Sequence, residues 1–358
     1  MTLHRAAAIV ALGLTVSACG GGGGGGGGIQ AAAPVTPAPT TPAPTTPAPT
    51  TPAPTTPAPV TPPPVTISIV GTKSAGSGGA NNATYNFTNN LPTVGTTLFL
   101  GGPSVRTTAT SVTDAAIPGN DVRAIWRGTI VSNGLTFPVF DLSIASLGIS
   151  ATNVRGDGTL APLTGGGEVG VVVTTLTYTM MGAWTYIEPN GAGAYLSQFS
   201  TGVLTPVASL PVSGSATYTG SGATGGVVGV YSIPGGNNTI TGGTVTGNVS
   251  MNVNFATNAV TGQLTNMTAK PLGGTSVPWN NVTLTGSLDR TGGGIGGTAR
   301  ADAAPAGAGS TGFSTAASGS FGSSLYGPAY NEMGGTWTLS ESTPDGGRAA
   351  FGAFAGKR

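Results

Sequence analysis

From Thr66 onward, apolar and polar residues alternate in short runs separated by Gly-rich turns. A period of two is the pattern of a half-buried β-strand, and it recurs too often here for helices. The clearest run is 245–255, VTGNVSMNVNF, in which every odd position is apolar or Gly and every even position is polar. One face of that strand is therefore buried and the other wet. Similar runs recur at 215–220, 227–232, 259–267, 282–288, 294–301, 317–325, 333–340 and 349–355. Eight or nine antiparallel strands at this spacing predict a closed barrel, which has no exposed edge and an interior just filled by side chains. Gly247, Gly262, Gly286, Gly319 and Gly335 fall on the apolar phase, where they relieve crowding or allow sharp curvature.

Upstream, residues 66–205 are strand-like but less regular. Segments 125–131 and 136–144 pair across Ser132-Asn133-Gly134-Leu135, because Asn-Gly is a strong hairpin turn. Segment 169–180 leads into a second candidate pair around Ala183-Trp184-Thr185-Tyr186. The expectation is an all-β chain: a smaller handle-like β-sheet domain over 66–208, then an eight-stranded antiparallel barrel over 209–358, with the boundary between Pro206 and Pro211.

The first 65 residues have a different pattern. A short basic start ending in Arg5, an apolar run from Ala6 to Val16, and Val16-Ser17-Ala18-Cys19 form a secretory signal over 1–18. The apolar run is too short to span a bilayer, which takes about 20 residues. Its end resembles a bacterial lipobox, in which Cys19, the chain's sole cysteine, becomes the lipidated first residue; the alternative is an ordinary signal with an incidental Cys. Gly20 stands where Asp would favour inner-membrane retention, so the expected address is the outer membrane. Residues 19–65 then form a tether: nine glycines, followed by Thr-Pro-Ala-Pro-Thr repeats ending at Pro62-Pro63-Pro64. Neither part can bury a core, and polyproline II at ~3.1 Å per residue extends the repeat to ~100 Å. It reads either as a plain tether or as a stalk carrying a binding domain through a surface layer.

Charge narrows the chemistry. Only 6% of the 358 residues are charged, 12 basic against 11 acidic, so no face is available to hold a polyanion and nucleic acid is not an expected partner. Signal cleavage removes His4, the single His, along with Arg5. Without a mature His or a free thiol there is no Ser-His-Asp or Cys-His nucleophile, no His/Cys zinc site and no His-ligated haem. The carboxylates are scattered, without EF-hand spacing. The expectation is a non-enzyme without cofactor or metal.

Three stretches carry a family resemblance. Ala216-Thr-Tyr-Thr-Gly220 opens a strand; Tyr326-Gly-Pro-Ala-Tyr-Asn-Glu332-Met-Gly-Gly335-Thr-Trp337 follows; Ala350-Phe-Gly-Ala-Phe354-Ala-Gly-Lys-Arg358 ends the chain. Together they resemble the barrel domain of transferrin-binding protein B. The upstream Tyr178-Thr-Met-Met-Gly-Ala-Trp184 is similar to the region before that barrel in shorter relatives, so the likeness covers roughly 175–358. The resemblance implies a surface lipoprotein of the outer membrane with a handle and an eight-stranded barrel. Members of the family capture host iron-carrying proteins or haem carriers, and others bind unrelated host factors. One barrel-sized region stands here where the transferrin receptor has two handle-and-barrel lobes, which speaks against transferrin itself as ligand. The shared motifs are strand and turn residues, so Tyr326 and Glu332 read as structural and no ligand contact is carried over.

Three weaker signals have plain structural alternatives. Gly292, Gly294 and Gly297 match G-x-G-x-x-G, without the strand–turn–helix context that gives it meaning. Arg155-Gly156-Asp157 matches an integrin-type tripeptide but reads as an ordinary Gly turn. Trp279, after Pro278, is either an exposed binding anchor or a ring packed over the barrel mouth. The expected function is an outer-membrane, lipid-anchored binding protein that captures a protein or small ligand in iron or haem acquisition. The alternative is a structural or adhesive surface lipoprotein.

Overall fold

The computed structural model describes residues 66–68, 87–88, 91–132, 134–222, 225–235 and 239–358. The signal, Cys19 and the tether lie outside these residues.

Seven strands pair antiparallel in chain order: Ile240–Asn254, Ala259–Pro271, Val282–Leu288, Gly294–Ala301, Ser318–Tyr326, Glu332–Glu341 and Arg348–Lys357. The ring closes because Gly226–Pro234 pairs with both Arg348–Lys357 and Ile240–Asn254. Ser215–Gly220 continues that eighth stave, pairing with the far half of Ile240–Asn254 and, through Thr219, with Lys357. The result is the closed eight-stranded barrel anticipated from the alternation.

Its inside is full. Val245, Val249, Met251 and Val253, one phase of a single strand, are buried together with Tyr218, Leu264, Phe321, Trp337 and Phe354. Glycines make room for the longest of these side chains. Met251 lies opposite Gly262 in the ladder, and a Cβ there would fall inside the radius of the Met251 sulfur; a Cβ on Gly247, at the register shift of the same pairing, would likewise meet the Met267 sulfur.

A second core lies upstream. A seven-stranded sheet runs in the order Thr66–Ser68, Ser111–Asp114, Ser104–Thr107, Ala194–Gly202, Thr179–Ile187, Glu168–Thr175, Ala161–Pro162. A four-stranded sheet runs Thr97–Phe99, Val122–Ser132, Leu135–Ile144, Ile149–Arg155. Leu98, Trp126, Phe140, Val171, Trp184 and Phe199 from the two sheets share one buried cluster. The Trp184 indole N–H is satisfied by donating to the Leu100 carbonyl at 3.1 Å.

The other face of the seven-stranded sheet packs on the outside of the barrel, where Met181 meets Ala353 and Ala355. Strands Glu332–Glu341 and Arg348–Lys357 are therefore buried on both faces, unlike the alternating Ile240–Asn254. Small residues on their outer phase let the sheet approach: a Cβ on Gly334 would collide with the Ser200 hydroxyl.

The structure departs from the pattern at 169–180. That run is broken at Leu176–Tyr178 into Glu168–Thr175 and Thr179–Ile187, which pair with each other. Ala194–Gly202, the central strand of this sheet, was not anticipated.

Candidate functional site

The hairpin expected around Asn-Gly forms, with Val122–Ser132 and Leu135–Ile144 in register from Val122 opposite Ile144 to Ser132 opposite Leu135. Gly134 takes the positive φ of 77° that the two-residue loop demands, while Asn133 lies outside the described residues. Its flanking strands reach only the base. Thr97–Phe99 pairs with Arg123–Ile125, and Ile149–Arg155 pairs no farther out than Val139. The Gly156 N–H still reaches the Pro138 carbonyl at 2.8 Å, and beyond Gly128 and Pro138 the hairpin continues, among the described residues, as a two-stranded ribbon.

The base of the ribbon is fixed on both sides. A bulge between Trp126 and Gly128 re-aims the outgoing strand, with Gly128 at φ +115°. The Arg127 guanidinium donates to Asp141 Oδ2, its Nε at 2.7 Å, and Asp141 Oδ1 accepts the Asn153 backbone N–H at 3.1 Å. Arg127 thereby holds the Asp141 carboxyl below its usual range. Beneath, Trp126 packs edge-on against Phe140 with centroids 5.6 Å apart, anchoring the hairpin in the core.

Past the base there is no charge. Residues 128–140 hold no Asp, Glu, Lys or Arg. Ile130 sits opposite Phe137, and Leu135 shares their face; Val131 and Thr136 point the other way. Ile130 is 37% exposed, Leu135 56% and Val131 69%. An isolated two-stranded ribbon is marginal in water, and exposed apolar clusters on a surface mark places of contact. An uncharged ribbon whose edges no described strand covers can take a partner through side-chain burial and by strand addition.

The residues singled out in the sequence fall elsewhere. Trp279 is 1% exposed, its N–H donates to the Thr311 carbonyl at 2.8 Å, and its ring packs edge-on against Phe313 and tilted against Trp337. It is a barrel plug; the anchor alternative falls. Asn280 beside it stitches the same loop, donating to the Asp302 and Phe313 carbonyls and accepting the Phe313 N–H.

Tyr326 and Glu332 sit opposite each other in the barrel ladder, at the junction with the seven-stranded sheet. The Tyr326 hydroxyl is 3.5 Å from Ser200 Oγ. Glu332 accepts the backbone N–H of Thr177 at 2.9 Å and of Tyr178 at 2.8 Å, so the turn that breaks 169–180 is tied to the barrel. Thr205 Oγ1 donates to the Gly327 carbonyl at 2.6 Å and its N–H to the Leu325 carbonyl, while the Gly327 N–H donates to the Val203 carbonyl across the same junction.

Arg155 and Asp157 pair with each other, and the Gly156 between them is wedged against Pro138 and Val173. The Gly292 turn belongs to a hairpin in which Asp289 already accepts the N–H groups of Thr291 and Gly292, so a carboxylate occupies the place a phosphate would take. Among the described residues, no three His, Cys, Asp or Glu side chains gather as a metal site requires. The exposed ribbon tip was missed in the sequence; its available signal was the charge-free stretch between Arg127 and Asp141.

Comparison with known proteins places the barrel. Residues 210–358 match the family model described as the C-lobe and N-lobe β-barrels of Tf-binding protein B. Among solved structures, a double mutant of transferrin-binding protein B from Haemophilus parasuis Hp5 is 15% identical, with 71% of this chain and 44% of that one covered and a TM-score of 0.37. The isotype 1 protein from serogroup B Neisseria meningitidis is also 15% identical, with 74% and 44% covered and a TM-score of 0.35. The chain thus spans less than half the length of these two proteins. No curated protein matches it.

Proposed function

With a transferrin-binding protein B-like barrel domain at residues 210–358 as the premise, we propose that the chain is a lipid-anchored binding protein of the outer membrane. In this reading Cys19 carries the acyl groups, residues 19–65 are the tether, 66–208 the handle and 209–358 the barrel. Several acyl chains hold more firmly than the marginal grip of one. The partner is an iron- or haem-carrying protein outside the cell, taken up by surface contact and without catalysis.

The observation that carries the reading is the ribbon of residues 128–138, with Ile130, Val131 and Leu135 exposed above a fixed base. A packed barrel interior supports it further, since side chains fill the space in which a ligand would otherwise sit. The test is capture of iron and haem carriers, transferrin included, by the lipidated chain and by a variant with Ile130→Thr, Val131→Thr and Leu135→Thr. Threonine keeps the strand preference while removing the apolar contact. The reading expects at least one carrier to bind the parent and to lose ten-fold or more in affinity for the variant. Silence across the panel, or equal binding by the variant, overturns it.

A further inference from the structure

Where the seven-stranded sheet leans on the barrel, the two surfaces leave a groove of about 220 Å³. Its floor is Val105, Ala194 and Leu196 from the sheet with Val230 and Phe351 from the barrel. These residues belong to a small apolar cluster separate from both main cores. Hydroxyls of Thr107, Thr239 and Thr241 stand among its lining, Leu272 is half exposed beside them, and among the described residues no charged side chain lines it. One strand repeat beyond Leu196, about 7 Å along the same face of Ala194–Gly202, Gln198 is 0% exposed and neither atom of its carboxamide has a hydrogen-bond partner. The Thr336 hydroxyl, on the barrel strand packed against Ala194–Gly202, is equally unmatched. Both are sealed beyond the groove and do not line it, so the polar groups that a molecule in the groove would meet are the Thr107, Thr239 and Thr241 hydroxyls.

We propose that this groove binds an uncharged, mainly apolar small molecule with one hydroxyl or carbonyl oxygen, its carbon chain on the floor and its oxygen toward the Thr107, Thr239 and Thr241 hydroxyls. The absence of lining charge excludes ions, because an unpaired buried charge is far costlier than an alkyl chain. Size follows from volume. A dry apolar cavity of about 150 Å³ accommodates benzene, so 220 Å³ scales to about nine non-hydrogen atoms, the size of 1-octanol. The site is built from strands other than those of the ribbon and stands independently of the ribbon's partner.

The experiment titrates the full lipidated chain with 1-octanol, octanoate and octane, following saturation-transfer NMR and the shift in Tm. Octanol binds at a single site, octanoate binds at least ten-fold more weakly, Ala194→Leu fills the floor and abolishes binding, and Thr107→Val, Thr239→Val and Thr241→Val together erase the preference for octanol over octane. Should Ala194→Leu fail to fold, Leu272→Asp at the half-exposed rim weakens octanol ten-fold or more. The Ile130→Thr, Val131→Thr, Leu135→Thr chain retains octanol binding. Absence of octanol binding up to its solubility limit, octanoate binding as tightly as octanol, or full binding by both Ala194→Leu and Leu272→Asp overturns the proposal.

Discussion

Replacing Glu332 with Gln tests how the sheet and the barrel are held together. The carboxylate is 2% exposed and receives two backbone N–H groups, from Thr177 at 2.9 Å and Tyr178 at 2.8 Å. Lys357 Nζ stands 3.9 Å away on a side chain 44% exposed, so its attraction is screened by water and contributes little. A Gln oxygen still accepts one of the two N–H groups, but its NH₂ faces the other, donor against donor. One charge-assisted bond, worth about 1.5–3 kcal/mol, is lost and a buried N–H is left unmatched. The expected cost is about 3 kcal/mol, a large share of the 5–15 kcal/mol that holds a typical domain. Urea unfolding gives the total, and hydrogen exchange at the Thr177 and Tyr178 amides gives the location. The amides should exchange faster while barrel amides such as Leu264 stay protected. A loss under about 0.5 kcal/mol, or unchanged exchange at both amides, refutes the reasoning.

Gly262→Leu should crowd Met251 and cost about 1–3 kcal/mol in urea unfolding, with Met251→Ala in the same chain recovering most of it. Burial pushes the Tyr231 phenol up to about 12. Below pH 10 both states are protonated; between 10 and 12 only the unfolded phenol ionises, so stability falls by up to about 3 kcal/mol. Tyr231→Phe should flatten that limb, and the parent should show little change between pH 5 and 8, which unfolding curves across pH would check. Asp141 works in the opposite direction: its lowered folded value stabilises the ribbon base above the unfolded value near 3.8 and is lost as pH falls through the folded one, so amides at 128–138 should exchange faster in acid. Cys19→Ser should release the chain from membranes, and protease added to intact cells should remove the lipidated chain's barrel if it faces outward.

Where alternation met a one-sided environment, the strands were legible to the residue: 215–220, 282–288 and 294–301 agree with the structure at both ends. Ala194–Gly202 escaped notice because it is buried on both faces and carries Ser197, Gln198, Ser200 and Thr201 inside, so polarity no longer reports exposure. The break at Leu176–Tyr178 depends on Glu332, more than 150 positions away, a pairing no local pattern encodes. Trp279 after a proline reads more readily as packed over the barrel mouth than as an exposed anchor, and Thr311 and Phe313 are the partners that hold it there. The hairpin around Gly134 was plain, but its exposure depends on where the flanking strands stop. The groove draws on positions from Val105 to Phe351, which only the packing of sheet on barrel brings together.

Hydrogen exchange of the lipidated chain, alone and with each carrier protein of the panel, tests the central claim most directly. The account predicts that a captured carrier slows exchange over 128–138 and leaves the barrel interior unchanged. Protection on any other surface with the ribbon unaffected, or no protection with any carrier, contradicts it.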